Sequence, residues 1–164
     1  MSAFEGAHVY YSEFNQARAV LVCRIARGGD EENDFGPHIE RLTTAAEATF
    51  GREPRLALLI IIDPGHPLPN SVWRRRVAEA TSNAHFKPFF AVVTDNPLAR
   101  GMLTALSWLR PQRFEAHVGP SEERAIAWLE AKRSERLPDV KLLLDRVMRR
   151  EPDRRVAPPK AASG

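Results

Sequence analysis

The residues best suited to chemistry in this chain are Asp63, His66 and Asp95. Asp63 directly follows an apolar run over residues 56–62, and Asp95 follows a second run over residues 89–94. His66 lies in the loop after the first run. Two carboxylates with an imidazole are a combination that serves metal binding or acid–base catalysis. The ends of these two runs are therefore the first places to look for a function.

The chemistry of this group is incomplete. No second histidine lies at ligand spacing from His66, and the chain contains neither a nucleophile elbow nor a phosphate-binding glycine sequence. Acids at strand ends also serve as helix caps and turn formers. We therefore expect a protein that is not an enzyme and holds no cofactor or metal, with an enzyme as the less favoured alternative.

Apolar runs that are continuous rather than alternating predict strands buried on both faces, as in sheets built through helical crossovers. Residues 56–62 and 89–94 are predicted to be such strands. Residues 8–14 and 19–26, rich in aromatic or β-branched side chains, predict an opening β-hairpin, and the alternating residues 113–118 predict a half-buried strand. Helical spacing of apolar residues predicts helices over 35–50, 71–84, 97–109, 121–136 and 140–148. The glycine- and acid-rich stretch 27–34 is predicted to be a loop, with Asp34 as a helix cap.

These elements predict an α/β fold, with a mixed, mostly parallel central sheet of about five strands. Four crossover or flanking helices would cover the sheet, followed by an extra C-terminal helix. We expect a domain over residues 1–136, an additional amphipathic helix over 137–150, and a disordered tail over 151–164 that is rich in proline, alanine and charge.

Composition excludes several classes of function. No apolar run approaches the roughly 20 residues that a membrane-spanning helix needs, and a cytoplasmic protein is expected. From Lys132 to the end there are 10 basic and 5 acidic residues, but they are interleaved, so we expect a solvated helix face rather than a nucleic-acid site. The single cysteine, Cys23, is expected to be a small core residue, and the scattered His8, His38, His85 and His117 to be structural or solvated.

The order of elements resembles that of STAS domains, the fold of bacterial anti-sigma factor antagonists of the SpoIIAA type, and is also similar to that of STAS/SEC14-like proteins. The resemblance covers roughly residues 8–136. It depends on the segments LLIIIDPGHPLPNS (58–71) and FFAVVTDNPLARGMLTALSWL (89–109), each a strand leading to a helix. It implies a non-enzymatic module that binds a protein partner, or alternatively a small molecule or lipid in an apolar cavity.

Regulated members of that family carry a phosphorylatable serine or threonine at the start of the helix after this strand. Ser71 has the matching place in this chain, although Asn70 stands where the family has an acid and no Ser-Gly pair follows. A serine here also serves simply to cap a helix. Ser71 is thus a candidate phosphosite with an ordinary structural alternative.

The predicted partner-binding surface collects the polar residues near the ends of the two apolar runs. Its members are Asp63, His66, Asn70, Ser71, Arg74, Arg75, Asp95, Asn96 and Arg100. A second surface, which is apolar, is predicted on the last helix. It either packs on the sheet of its own domain or forms a homodimer. It consists of Leu143, Leu144, Val147 and Met148.

Overall fold

The computed structural model describes residues 10–26, 31–64, 71–82, 84–98, 100–101 and 115–150. For residues 31–35 and Trp73 the backbone alone is described. The predicted tail 151–164 and the residues His66 and Asn70 lie outside these ranges. None of the helices within the described ranges is long and apolar enough to cross a membrane.

Five strands form one sheet in the sequential order β1-β2-β3-β4-β5. The strands are β1 (Tyr10–Asn15), β2 (Val20–Ile25), β3 (Ala57–Ile62), β4 (Phe89–Val93) and β5 (Glu115–Gly119). The β1–β2 pair is antiparallel and the other three pairs are parallel. The predicted α/β class, with a mostly parallel sheet of about five strands, is confirmed.

Four helices lie wholly within the described ranges: α1 (Glu31–Thr49), α2 (Ser71–Thr81), α3 (Glu122–Arg133) and α4 (Pro138–Arg149). Residues 97, 98, 100 and 101 are also helical, in the connection between β4 and β5. The predicted alternation of strands and helices is therefore present, and α3 and α4 follow β5 as expected.

One face of the sheet is covered by α1. Leu42, Ala45 and Ala46 of this helix are buried in a cluster that contains Leu58 and Ile60 of β3. Because side chains alternate along a strand, Leu59, which lies between these two residues, points to the other face. Each fully buried leucine or isoleucine contributes about 1.5–3 kcal/mol, so this layer is a substantial part of the core.

The opposite face is covered by α3 and α4. Leu59 and Ile61 of β3 lie in a cluster with Leu129 of α3 and Val140 of α4. β3 is thus buried on both faces, which explains its uninterrupted run of apolar residues.

The last helix packs on its own domain. Leu143, Leu144 and Val147 are buried in the same cluster as Leu59, while Met148 is 39% exposed. The prediction of a homodimer through this stripe is therefore not supported, because three of its four apolar side chains are already covered by the sheet.

The first helix begins earlier than its apolar spacing predicted. Residues 31–34 are helical, so the expected loop cannot extend over 27–34 and Asp34 is not a cap. The helix instead begins at Glu31. The last helix also starts early, with Pro138 at its first turn rather than in a break.

Candidate functional site

The carboxyl ends of the parallel strands bring Asp63 and Asp95 to one edge of the sheet. Ile61 pairs with Val93, so Asp63 and Asp95 follow neighbouring strands at similar heights. This edge is the usual place for function in open α/β sheets. We call it the carboxyl edge.

Asp63 is bound by an arginine of the neighbouring strand. The Nη2 atom of Arg24 lies 2.8 Å from one carboxylate oxygen of Asp63, and Nε lies 3.1 Å and 3.2 Å from the two oxygens. The two side chains are only 12% and 15% exposed. This is a forked, largely buried ion pair, which gives both strength and a fixed geometry.

The same arginine also holds the end of α4. Its Nη1 atom donates hydrogen bonds to the carbonyl oxygens of Val147, at 3.2 Å, and of Arg150, at 2.9 Å. The last carbonyls of a helix have no partner inside the helix and favour a cation beside them. Arg24 therefore ties β2, β3 and α4 together, and Asp63 neutralises it. The carboxylate of Asp63 is thus bound within the fold, and a role of Asp63 in partner binding stays a prediction.

Asp95 and Asn96 start the helix after β4. The amide N–H of Leu98 donates to the side-chain oxygen of Asn96 at 3.0 Å, and the N–H of Asn96 donates to the Thr94 hydroxyl at 3.2 Å. Asn96 is thus a helix cap, as its place before a proline predicted. Asp95 is exposed, and Arg100 is partly buried one turn further along the helix.

The start of α2 presents exposed side chains at the same edge. Ser71 is the first residue of α2, and Val72, Arg74 and Arg75 follow it, all exposed. Val72 is 55% exposed, and Leu98, in the helix after β4, is 71% exposed. We name Ser71, Val72, Arg74, Arg75 and Leu98 the carboxyl-edge surface.

A second arginine, Arg133, was expected to lie on a solvated helix face, and that expectation is wrong. Its side chain is only 1% exposed and lies 2.6 Å from a carboxylate oxygen of Glu135. It donates to the carbonyl oxygens of Arg18, Ala19 and Arg55 at 2.9–3.0 Å. These carbonyls directly precede β2 and β3, so Arg133 fixes the amino edge of the sheet to the end of α3.

A buried polar chain that the sequence analysis missed lies beneath α1. The Tyr10 hydroxyl lies 3.1 Å from Cys23 Sγ and 3.0 Å from His38 Nδ1. Burial raises the pKa of the Tyr10 phenol, and raises the pKa of the Cys23 thiol to about 12. Burial also lowers the pKa of His38 to about 4. All three groups are neutral at pH 7, so the chain is hydrogen-bonded without charge.

The outer end of this chain borders an open cavity of about 370 Å³. Arg41 lines the cavity and donates from Nε to the Ser12 hydroxyl at 3.0 Å. The lining is polar and charged, which does not match the apolar cavity expected for a lipid. Lipid or small-molecule binding of the SEC14-like kind stays a prediction, for which native mass spectrometry is the direct measurement.

Comparisons with protein-family models, curated proteins and solved structures gave no match. Within the described ranges, no group of three or more histidine, cysteine or acidic side chains is placed to hold a metal ion. The resemblance to STAS domains therefore stays a prediction from the order of elements.

Proposed function

We propose that this chain is a non-enzymatic, STAS-like interaction or regulatory module that binds a protein partner through the carboxyl-edge surface. The observation that supports this most is the exposure of Val72 and Leu98, at 55% and 71%. Both lie in helices that begin at one edge of the sheet. Exposed apolar side chains that form one patch with polar residues around it mark interaction sites.

The charges at this edge indicate the character of the partner. Arg74 and Arg75 are exposed at the fourth and fifth positions of α2, two and three residues after Val72. An acidic partner segment that also carries apolar side chains would complement both features, and complementary charge increases association rates.

The Arg24–Asp63 ion pair favours recognition over acid–base catalysis. A general base needs a lone pair that the substrate can reach, whereas the Asp63 side chain is only 15% exposed and is bound to the Arg24 cation, which favours its charged, non-basic form. An exchange of Asp63 for asparagine should therefore affect stability rather than any turnover.

A matched pair of substitutions tests the surface. Val72 and Leu142 have almost equal exposure, 55% and 51%, but Leu142 lies on α4, which covers the opposite face of the sheet. We expect Val72→Asp to reduce capture of a specific partner from host extract by about tenfold or more, as for a central interface residue. Leu142→Asp should leave capture unchanged. Equal capture by both variants would remove the carboxyl-edge surface from consideration.

Phosphorylation of Ser71 is the proposed means of regulation. A phosphate would add a charge of about −1.5 to −2 at the start of α2, with Arg74 and Arg75 three and four residues further along the helix. The charge would change the surface that the partner meets without a change of fold. Intact-mass measurement of the native protein and partner capture with Ser71→Ala and Ser71→Asp test this. An unmodified Ser71 together with unchanged capture by both variants contradicts the switch.

A further inference from the structure

A second cavity lies at the opposite, amino edge of the sheet, between the end of α1 and the starts of β3 and β4. Its volume is about 300 Å³, at the lower end of the ~300–1,000 Å³ range of small-molecule sites. Its floor consists of buried residues, namely Ala46, Thr49, Leu56 and Pro88. We call it the amino-edge cavity.

One wall of the cavity is aromatic. Phe50 is stacked on His85, with ring centroids 4.1 Å apart and planes inclined by 29°. Phe50 as a residue is nevertheless 50% exposed, so part of it still faces the solvent. An exposed ring beside a cavity is a suitable platform for a second planar ring.

The turn at the end of α1 brings Phe50 and Arg52 to the same cavity. Gly51 has a φ of +70°, a conformation that glycine adopts without strain. The turn is closed by a hydrogen bond of 3.2 Å from the Arg52 N–H to the Thr49 carbonyl. Helix α1 ends at Thr49, as the position of the glycine predicted.

The lining of the cavity is strongly cationic. Arg52, Arg55 and Lys87 line it, against one acid, Glu53. Arg55 is held in place, because its Nε donates to the Lys87 carbonyl at 2.8 Å and its guanidinium lies 4.3 Å from the centre of the Phe89 ring. A fixed cation needs little reorganisation to meet an anion.

We propose that the amino-edge cavity binds a nucleoside monophosphate, with the base stacked on Phe50 and the phosphate bound by the fixed Arg55 together with Arg52 and Lys87. The floor and the aromatic wall suit a planar, weakly polar ring, whereas the cationic lining suits a dianion. The small volume matches one nucleotide rather than a dinucleotide cofactor. This site lies at the opposite edge from the carboxyl-edge surface and does not depend on the partner proposed there.

Isothermal titration of the full chain with AMP, adenosine and inorganic phosphate tests the proposal. We expect saturable binding of AMP below about 1 mM, and weaker binding of adenosine and of phosphate, because each lacks half of the recognised chemistry. Absence of saturable AMP binding up to that concentration overturns the proposal. So does binding of a short oligoadenylate without binding of AMP, which would assign the cavity to single-stranded nucleic acid.

Two variants and a matched control locate the binding. Phe50→Leu keeps an apolar side chain but removes the ring, and should weaken AMP binding about 5- to 150-fold, as the loss of one base-stacking contact does. Lys87→Gln should weaken AMP binding but leave that of adenosine unchanged. Lys141→Gln removes an exposed lysine on α4, away from the cavity, and should change neither. Equal AMP affinity for Phe50→Leu and the wild type, with both folded by circular dichroism, contradicts the assignment.

Discussion

The two faces of the sheet are both closed by apolar helices but differ in how they use polar groups. Beneath α1, Tyr10, Cys23 and His38 form an uncharged hydrogen-bonded chain. Under and around α3 and α4, the polar contacts are ionic, with Arg24 and Arg133 at their centres. Neutral groups tolerate burial only while they stay neutral, and buried charges only while they stay paired. The α1 face should therefore respond to pH, and the α3–α4 face to the loss of a single charge.

The largest effect is expected for Arg133→Met, on the ionic face. The substitution removes the hydrogen bonds to three backbone carbonyls and leaves Glu135 without its partner. We expect the free energy of unfolding to fall by about 3–5 kcal/mol, because a buried charged group and its hydrogen bonds to three backbone carbonyls are removed. Urea unfolding measures it. Arg136→Met, at an exposed neighbour, should cost less than about 1 kcal/mol, and equal costs for the two would contradict the assigned role of Arg133.

The next largest effect is expected on the neutral face, as a dependence on pH. The pKa of His38 falls from 6.5 in the unfolded chain to about 4 in the fold, so the unfolded state binds the proton more readily. Above pH 6.5 His38 is neutral in both states and does not reduce the free energy of unfolding. As the pH falls from 6.5 towards 4, the unfolded chain binds the proton first, so the free energy of unfolding decreases. The difference corresponds to about 3 kcal/mol.

Unfolding free energies measured from pH 7 to pH 4 check this for the wild type and for His38→Gln. The variant should lose less stability over this interval, because glutamine does not titrate. The control is His85→Gln, an exchange at an exposed histidine, which should keep the wild-type slope. A His38→Gln slope equal to that of the control would mean that His38 does not distinguish the two faces.

A smaller effect is expected for Asp63→Asn at the carboxyl edge. The amide keeps the shape of the carboxylate but no longer neutralises Arg24, while the bonds from Arg24 to the end of α4 can persist. We expect a loss of about 1–3 kcal/mol in unfolding free energy. Asp145→Asn, at an exposed acid of α4, is the control and should lie near zero. A cost for Asp63→Asn no larger than that control would mean that this pair is not part of the ionic framework.

The smallest effect is expected for Asp139→Asn. Its carboxylate lies 3.0 Å from Arg18 Nε. This ion pair lies on the same face as those of Arg24 and Arg133, but it is exposed to solvent. We expect a loss below about 1 kcal/mol that decreases further with added salt. A cost comparable with that of Arg133→Met would show that burial is not what separates the strong ion pairs from the weak ones.

The sequence predicted the elements better than the contacts between them. The apolar run of β3 predicted a strand covered on both faces, and Asn96-Pro97 predicted a helix start, because both signals are local. The register between parallel strands leaves no such local signal. Arg24 lies inside an apolar run, and nothing local indicates its pairing with Asp63, which is 39 residues away. That pairing depends on the register between β2 and β3.

The candidate site was predictable in place but not in roles. The ends of β3 and β4 do lie at one edge, as the crossover pattern predicted. Whether an acid there faces solvent or an arginine depends on the neighbouring strand. The sequence alone therefore predicts a partner contact for Asp63, whereas the structure pairs it with Arg24. Tyr10, Cys23 and His38 come from three separate elements and have no common spacing, so only the folded structure brings them together.

The path of the chain has a practical consequence at the carboxyl edge. Tyr10, where the described chain begins, pairs with Ile25 at the end of β2, and Arg150, where it ends, is held by Arg24 one residue earlier. Tyr10 and Arg150 therefore both lie on the side of the sheet from which α2 starts. A fluorescent label attached at Arg150 would lie at the same edge as the carboxyl-edge surface, at a high effective concentration. Labels for partner measurements belong instead at Ser134, in the exposed turn between α3 and α4.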